Sequence, residues 1–189
     1  MGKDRIPSEE ECYGIMQRHE MLPNILEHSK QVLKVSIALY DNINTTARLN
    51  RELIVAAALL HDITKTQSIQ TKEPHDKTGA ALMRKLGFHR VADIVEQHVI
   101  LKNFDPDGML DEREIVYYAD KRVMHTSIVS VEKRIDDIIN RYGNTDERIR
   151  LILENKERIL QMERKIKRFL KRDIDEILDE LKSEHLRFS

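Results

Sequence analysis

The 189-residue chain has a single cysteine, Cys12, so no intrachain disulfide can form and a reducing compartment fits. It has no excess of charge of either sign. Lys and Arg number 32 against 33 Asp and Glu, for a net charge of −1. The chain as a whole therefore has no electrostatic bias toward nucleic acid or a membrane surface. Long apolar runs are missing too. The eight apolar residues from Leu53 to Leu60 are far fewer than the roughly 20 that span a bilayer. The start, "MGKDRIPSEE", has no apolar stretch of the signal-peptide kind. Ile6 stands where a myristoylation signal after Gly2 would need Ser or Thr. These absences point to a cytoplasmic protein with no membrane contact. No segment alternates convincingly with period two, and no internal repeat is visible, so strands and repeat architectures are not expected.

What is present is charge and helical periodicity. Charged residues make up 34% of the chain, above the roughly 25% of ordinary globular chains, while 40% are apolar. The length suits one domain. Ser8 with Glu11 reads as a capping box for a first helix. A second helix begins near Pro23 and runs to about Asn42. Asn50 caps a third that runs into His61. A loop then leads to Pro74, and a helix from His75 to Leu86 is stopped by Gly87. Another helix is expected over about Arg90–Leu101. After the turn residues Pro106, Asp107 and Gly108, Asp111 and Glu114 cap one long helix that ends at Gly143. A charged helix starts at Asn144 or Thr145 and breaks near Asp173. The expected fold is all-α: a first helix in 1–22, a helical bundle over 23–143, and a C-terminal helical extension over 144–189 that packs on it.

Four histidines and two aspartates fall on inward faces of these helices. His28 lies on a stripe with Ile25, Val32, Val35 and Leu39. His75 shares a face with Gly79 and Leu82, His98 with Val91, Ile94 and Leu101, and Asp120 with Val116 and Val123. His61 and Asp62 end the most apolar helix of the chain, where an unpartnered carboxylate is costly. Each alone reads as a hydrogen-bonded core residue or a helix end. Together they leave many polar groups to satisfy, and a metal site satisfies them at once.

His28, the "LLHDITK" stretch with His61 and Asp62, and Asp120 in "YYADKRV" resemble the H…HD…D pattern of the HD-domain metal-dependent phosphohydrolase superfamily. The resemblance covers roughly 24–142. His75 in "HDKTGAALM" and His98 in "IVEQHVIL" match the subset that holds two metals, similar to the bacterial HD-type diadenosine tetraphosphate hydrolases. Thr64 replaces the Gly of the usual HDIGK form, a change expected to affect only a turn. The HD-GYP branch is disfavoured because its paired histidines and GYP segment are missing.

The resemblance implies an HD-domain-like helical bundle and two divalent cations drawn from Fe, Mn, Ni or Zn. His28, His61 and Asp120 would hold one, His75 and His98 the other, with Asp62 as the bridge. It implies a phosphohydrolase that cleaves a phosphate ester or anhydride of a nucleotide or dinucleotide with metal-activated water. A one-metal nucleotidase and a non-catalytic, metal-stabilised nucleotide sensor are the alternatives. Asp62 and Lys65 are the expected catalytic residues, and Lys65, Lys121 and Arg122 the expected contacts to a phosphorylated small molecule. His125 has no assigned face, and His19, His89 and His185 carry no chemistry in this reading. The extension contains "RKIKRFLKR", six basic residues in nine, with little aromatic interleaving. It is expected to pack one apolar stripe on the domain, with Glu154/Arg158 and Glu163/Lys167 as exposed pairs; a homodimer through these helices is the sharper alternative, and nucleic acid is disfavoured as a partner.

Overall fold

A computed structural model of the chain describes residues 4–44 and 46–187, with side chains to 183. Gly2 and the side chain of His185 lie outside that description. The fold is all-α, apart from one two-stranded hairpin among the described residues.

Local sequence chemistry sets most helix starts. Ser8 and Glu11 form a capping box on α1 (Glu9–Arg18). Pro23 opens α2 (Pro23–Asn42), where its missing N–H costs nothing. The Asn50 side chain accepts from Leu53 N–H at 2.8 Å and starts α3 (Arg51–Leu60). Every residue of α3 from Leu53 to Leu60 is buried, because α1, α2, α6 (His89–Val95) and α7 (Glu112–Lys121) pack around it. Asp111 and Glu114 form a second capping box, at the start of α7. Ser130 and Thr145 cap α8 (Val131–Tyr142) and α9 (Asp146–Phe169). The break near Asp173 separates α9 from α10 (Ile174–Arg187).

Three expected elements differ. The segment between His61 and Pro74 is not all loop, because α4 (Lys65–Thr71) occupies its middle. None of its residues is buried, so it carries no apolar periodicity to read. Lys72, at φ +63°, ends it. The helix expected to reach Leu101 stops at Val95, and His98 lies beyond it. The single long helix from Asp111 is two helices, α7 and α8. Between them Val123–Met124 (β1) pairs antiparallel with Ser127–Ile128 (β2), and His125 turns the chain at φ +56°. Backbone groups of Arg122 and Val129 close this hairpin, with Val129 N–H donating to Arg122 O at 2.8 Å.

The extension is fastened at both ends. α9 packs on α7 and α8, and α10 on α2. Where α9 ends, Asn44 N–H donates to Phe169 O and Lys171 N–H to Asn42 O, each at 2.8 Å, which ties that corner to the end of α2. Lys165 of α9 is buried, its Nζ donating to Glu114 Oε1 at 2.7 Å and Asp105 O at 2.8 Å. Glu163 pairs with Lys167 as expected, at 3.0 Å. Glu154 pairs instead with Arg150, and Arg158 donates to Leu101 O. No helix is long and apolar enough to cross a membrane among the described residues.

Candidate metal centre

Five segments converge on one buried cluster. α2 brings His28, the end of α3 brings His61 and Asp62, and the start of α5 (His75–Lys85) brings His75. The turn after α6 brings His98, and the end of α7 brings Asp120. His61, Asp62 and His98 are almost wholly buried, His28 and Asp120 nearly so, and His75 is half-buried.

Backbone carbonyls orient three of the four imidazoles. His28 Nδ1 donates to His125 O at 2.9 Å, His61 Nδ1 to Ala58 O at 2.8 Å, and His98 Nδ1 to Val95 O at 2.7 Å. With the proton on Nδ1, each Nε2 turns a lone pair into the cluster. There His28 Nε2 lies 3.0 Å from Asp120 Oδ1. His61 Nε2 lies 3.5 Å from Asp62 Oδ2 and 3.8 Å from Asp120 Oδ1. Asp62 Oδ1 lies 3.2 Å from His75 Nε2 and 3.4 Å from His98 Nε2, and those two nitrogens are 3.2 Å apart. Lone pairs facing one another at such distances repel unless a proton or cation lies between them.

The donor set fits a metal ion. His61 Nε2 and Asp62 Oδ1 are buried without a well-aligned hydrogen-bond partner. Two groups bring their ligand atoms mutually within 4.8 Å: His28, His61 and Asp62, and Asp62, His75 and His98. Asp62 belongs to both. Imidazole and carboxylate suit Zn, Fe, Mn or Ni.

The electrostatics are those of a compressed charge cluster. Burial opposes the charge on Asp62, but His61 and Lys65 beside it hold its carboxyl well below the usual carboxylate range. Asp120 is held low in the same way, by Lys121 and His28 against burial. Burial would depress His61, yet Asp62 and Asp120 lift its imidazole above its ordinary value. His98 is lowered, chiefly by burial.

The other predicted residues divide. Lys65 Nζ donates to Asp62 Oδ2 at 2.7 Å and its side chain remains 40% exposed. Lys121 is buried, with Nζ donating to Asp120 Oδ2 at 2.6 Å and to His98 O at 2.9 Å. Arg122 does not join the cluster. Its guanidinium donates to Val129 O, Tyr118 Oη and Glu163, on the side of α7 that faces α9. The expected phosphate contact is therefore a structural cation: one step past Asp120, the side chain turns to another face. Thr64 does more than shape a turn. Its Oγ1 donates to His75 O at 2.9 Å and meets Thr78 Oγ1 at 2.8 Å, which joins the HD turn to α5. Gly79 lets this happen, since a Cβ there would come within 3.3 Å of Thr64 Oγ1 and 3.0 Å of Val95.

A cleft of about 630 Å³ opens over the cluster. It is lined by Lys65, Ser68 and Ile69 of α4, by Lys72 just after it, and by Arg134, Ile138 and Tyr142 of α8. Apart from Lys65, the sequence reading named none of these α4 and α8 residues. Only the spacing of four between Arg134, Ile138 and Tyr142 marks them as one stripe. The His125 carbonyl was missed as well, because it acts through the backbone.

Comparison with known proteins changes the functional expectation. The chain is 28% identical to a protein of Picrophilus torridus named tRNA (cytidine(56)-2'-O)-methyltransferase, over 93% of this chain and 51% of that relative. It is 27% identical to a protein of the same name from Thermoplasma volcanium, over 91% of this chain and 50% of that one. The chain spans about half the length of the curated relatives it matches. These names overturn the expectation of a nucleotide phosphohydrolase, together with its nucleotidase and nucleotide-sensor alternatives, since the relatives are named for RNA methylation. They also give no support to the narrower likeness to diadenosine tetraphosphate hydrolases. The site pattern and the relatives' names thus come apart, because one ligand set can serve several chemistries. No solved structure gives a significant match. The HD domain family model matches residues 25–125, from the start of α2 to the hairpin turn, and so takes in the whole ligand set: the chain belongs to the HD domain family.

Proposed function

We propose that this chain is a metal-holding HD module that binds tRNA in the service of ribose 2'-O-methylation. The observation that carries this reading is the extent of the likeness: more than nine-tenths of the chain aligns with proteins named for that reaction. The likeness is thus to enzymes, and the reading is enzymatic in context. Because the chain spans half of those relatives, its share of the work is read from its own site rather than from their name.

The site supports an RNA-facing role. The cleft walls present Lys65, Lys72 and Arg134 above a floor of metal ligands. In the tail most of the basic residues are engaged within the protein. In the "RKIKRFLKR" stretch Arg164 pairs with Glu157, Lys167 with Glu163, Arg168 with Asp107 and Arg172 with Glu180, while Lys165 is buried on Glu114. The cleft gathers Lys65, paired with Asp62, Arg134, paired with Asp137, and Lys72 around the ligand cluster, a grouping that suits a ribose–phosphate chain. This reading replaces the expectation that nucleic acid is disfavoured as a partner, which rested on net charge and on the scarcity of aromatics in the tail. A pair of divalent cations held by His28, His61, Asp62, His75, His98 and Asp120 would supply positive charge for phosphate or ribose oxygens. The protein's own part is to hold those ligands in place and to present Lys65 and Arg134 beside them.

The test is to titrate a labelled tRNA transcript with metal-loaded protein over a range of salt, and to map 2'-O-methylation after adding a methyl donor. Binding whose logarithm falls linearly with that of salt supports the reading. No tRNA binding, with or without cations, rejects it.

A further inference from the structure

We infer that the slot between α4 and α8 takes a single unpaired RNA nucleotide, its base stacked on Tyr142 and its phosphate held by Arg134; this rests on the tRNA reading above. Four observations converge. Tyr142 is 57% exposed at the rim of the slot, an aromatic ring presented to solvent with no structural duty in the core. Ile69, 54% exposed, lines the same cleft from α4, so apolar surface comes to it from both helices. Two polar atoms of cleft-lining side chains are buried without a hydrogen-bond partner: Arg134 Nε of α8 and Ser68 Oγ of α4. Leaving such groups unpaired is costly, and a ligand that supplies acceptors removes the cost. Arg134 engages only Asp137 through Nη1, at 2.9 Å, which leaves part of its planar fork free for a phosphate.

The order of these groups matches the anatomy of one nucleotide. The lining grows more buried from group to group: Tyr142 and Ile69 are more than half exposed, the Arg134 side chain is 16% exposed and that of Asp62 is 1% exposed. A π-face at the rim is sequence-tolerant and selects an unstacked base, whereas a paired base inside a helix cannot enter a slot of about 630 Å³ between two helices. The occupant is thus an unpaired position in a folded RNA rather than a double-helical stem.

The experiment uses the metal-loaded full chain and four probes: a tRNA transcript, a short unpaired oligoribonucleotide, the same sequence in a duplex, and the corresponding mononucleotide. The unpaired oligonucleotide is expected to bind better than the duplex and the mononucleotide. Tyr142→Ala should weaken it by roughly five- to a hundredfold, while Tyr142→Phe keeps most of the affinity. Arg134→Gln should lower the salt dependence by about one phosphate contact. Metal content and melting temperature should be unchanged in Tyr142→Ala, because the side chain is exposed. If tRNA binds but duplex and single strand bind equally and Tyr142→Ala has no effect, this inference fails while the tRNA reading stands. A mononucleotide that binds as tightly as the oligonucleotide overturns the choice of RNA. If no RNA binds at all, the tRNA reading itself is wrong and this inference goes with it.

Discussion

Asp62 Oδ1, in the turn after α3, lies 3.2 Å from Nε2 of His75 at the start of α5. The second oxygen of the same carboxylate faces His61 at 3.5 Å and accepts from Lys65 at 2.7 Å. One side chain therefore belongs to both ligand groups, and the two groups are separable by mutation.

His75→Ala or His98→Ala is expected to lower the metal content toward one cation per chain from about two. His61→Ala or Asp62→Ala should disturb both sites. Elemental analysis of protein loaded under identical conditions reads this directly. A wild type that saturates at one cation, with unchanged content in His75→Ala, would leave His75 and His98 as core residues.

Thr64 holds the start of α5 through the His75 carbonyl. Thr64→Val keeps the shape and removes the hydroxyl, so His75 loses its positioning. Supporting contacts of this kind are worth about 10–100-fold in metal affinity. The weaker cation should show that loss in a chelator competition, while the other cation's affinity barely changes. A Thr64→Val protein that binds both cations as the wild type does would show that His75 is placed by its helix alone.

Protons compete with the cations. His61 has its imidazole raised above the ordinary value near about 6.5 by Asp62 and Asp120, against the effect of burial. In the metal-free protein this favours folding below the unfolded value and the benefit is lost as pH rises through the folded one. A cation needs neutral His61, so its affinity should fall about tenfold per pH unit once pH drops below that raised value. Calorimetry in buffers of different ionisation heat should show proton uptake by the buffer on metal binding. Affinity that is flat from pH 8 to 5 would place His61 outside the ligand set.

Lys165 and Glu114 form a buried pair at 2.7 Å between α9 and α7. Lys165→Met leaves a buried carboxylate without its cation, a change that costs about 3–5 kcal/mol. Glu114 is already raised, chiefly by burial. A raised carboxyl favours the folded state at low pH and loses that benefit as pH rises, so the deficit of Lys165→Met should shrink on acidification. Adding Glu114→Leu should recover much of the loss. Urea titrations of the three variants at two pH values test this. An unperturbed single variant would mean that α9 contributes little to the fold.

The sequence by itself determined the helical class, most helix starts and the histidines and aspartates that meet in the buried cluster. These are local or periodic properties: Ser8, Asn50, Asp111 and Thr145 cap by bonding groups two or three residues away, and His28 shares its stripe with Val32 and Val35. Periodicity said which faces of α2, α5 and α7 turn inward, and the HD pattern joined His28, His61, Asp62, His75, His98 and Asp120 before the fold brought them together. Tertiary structure decided what depends on packing between elements. It placed a polar helix, α4, where no apolar stripe announced one, and broke the helix after Lys121 so that the His125 carbonyl could orient His28. It also turned Arg122 onto Tyr118 and Glu163, one residue from a metal ligand but on another face of α7. The cleft walls came from α4 and α8, which share no sequence neighbourhood, and no local rule reports that two helices will face each other across a gap. Side-chain periodicity is a property of one segment, whereas a cavity is a property of the space between several.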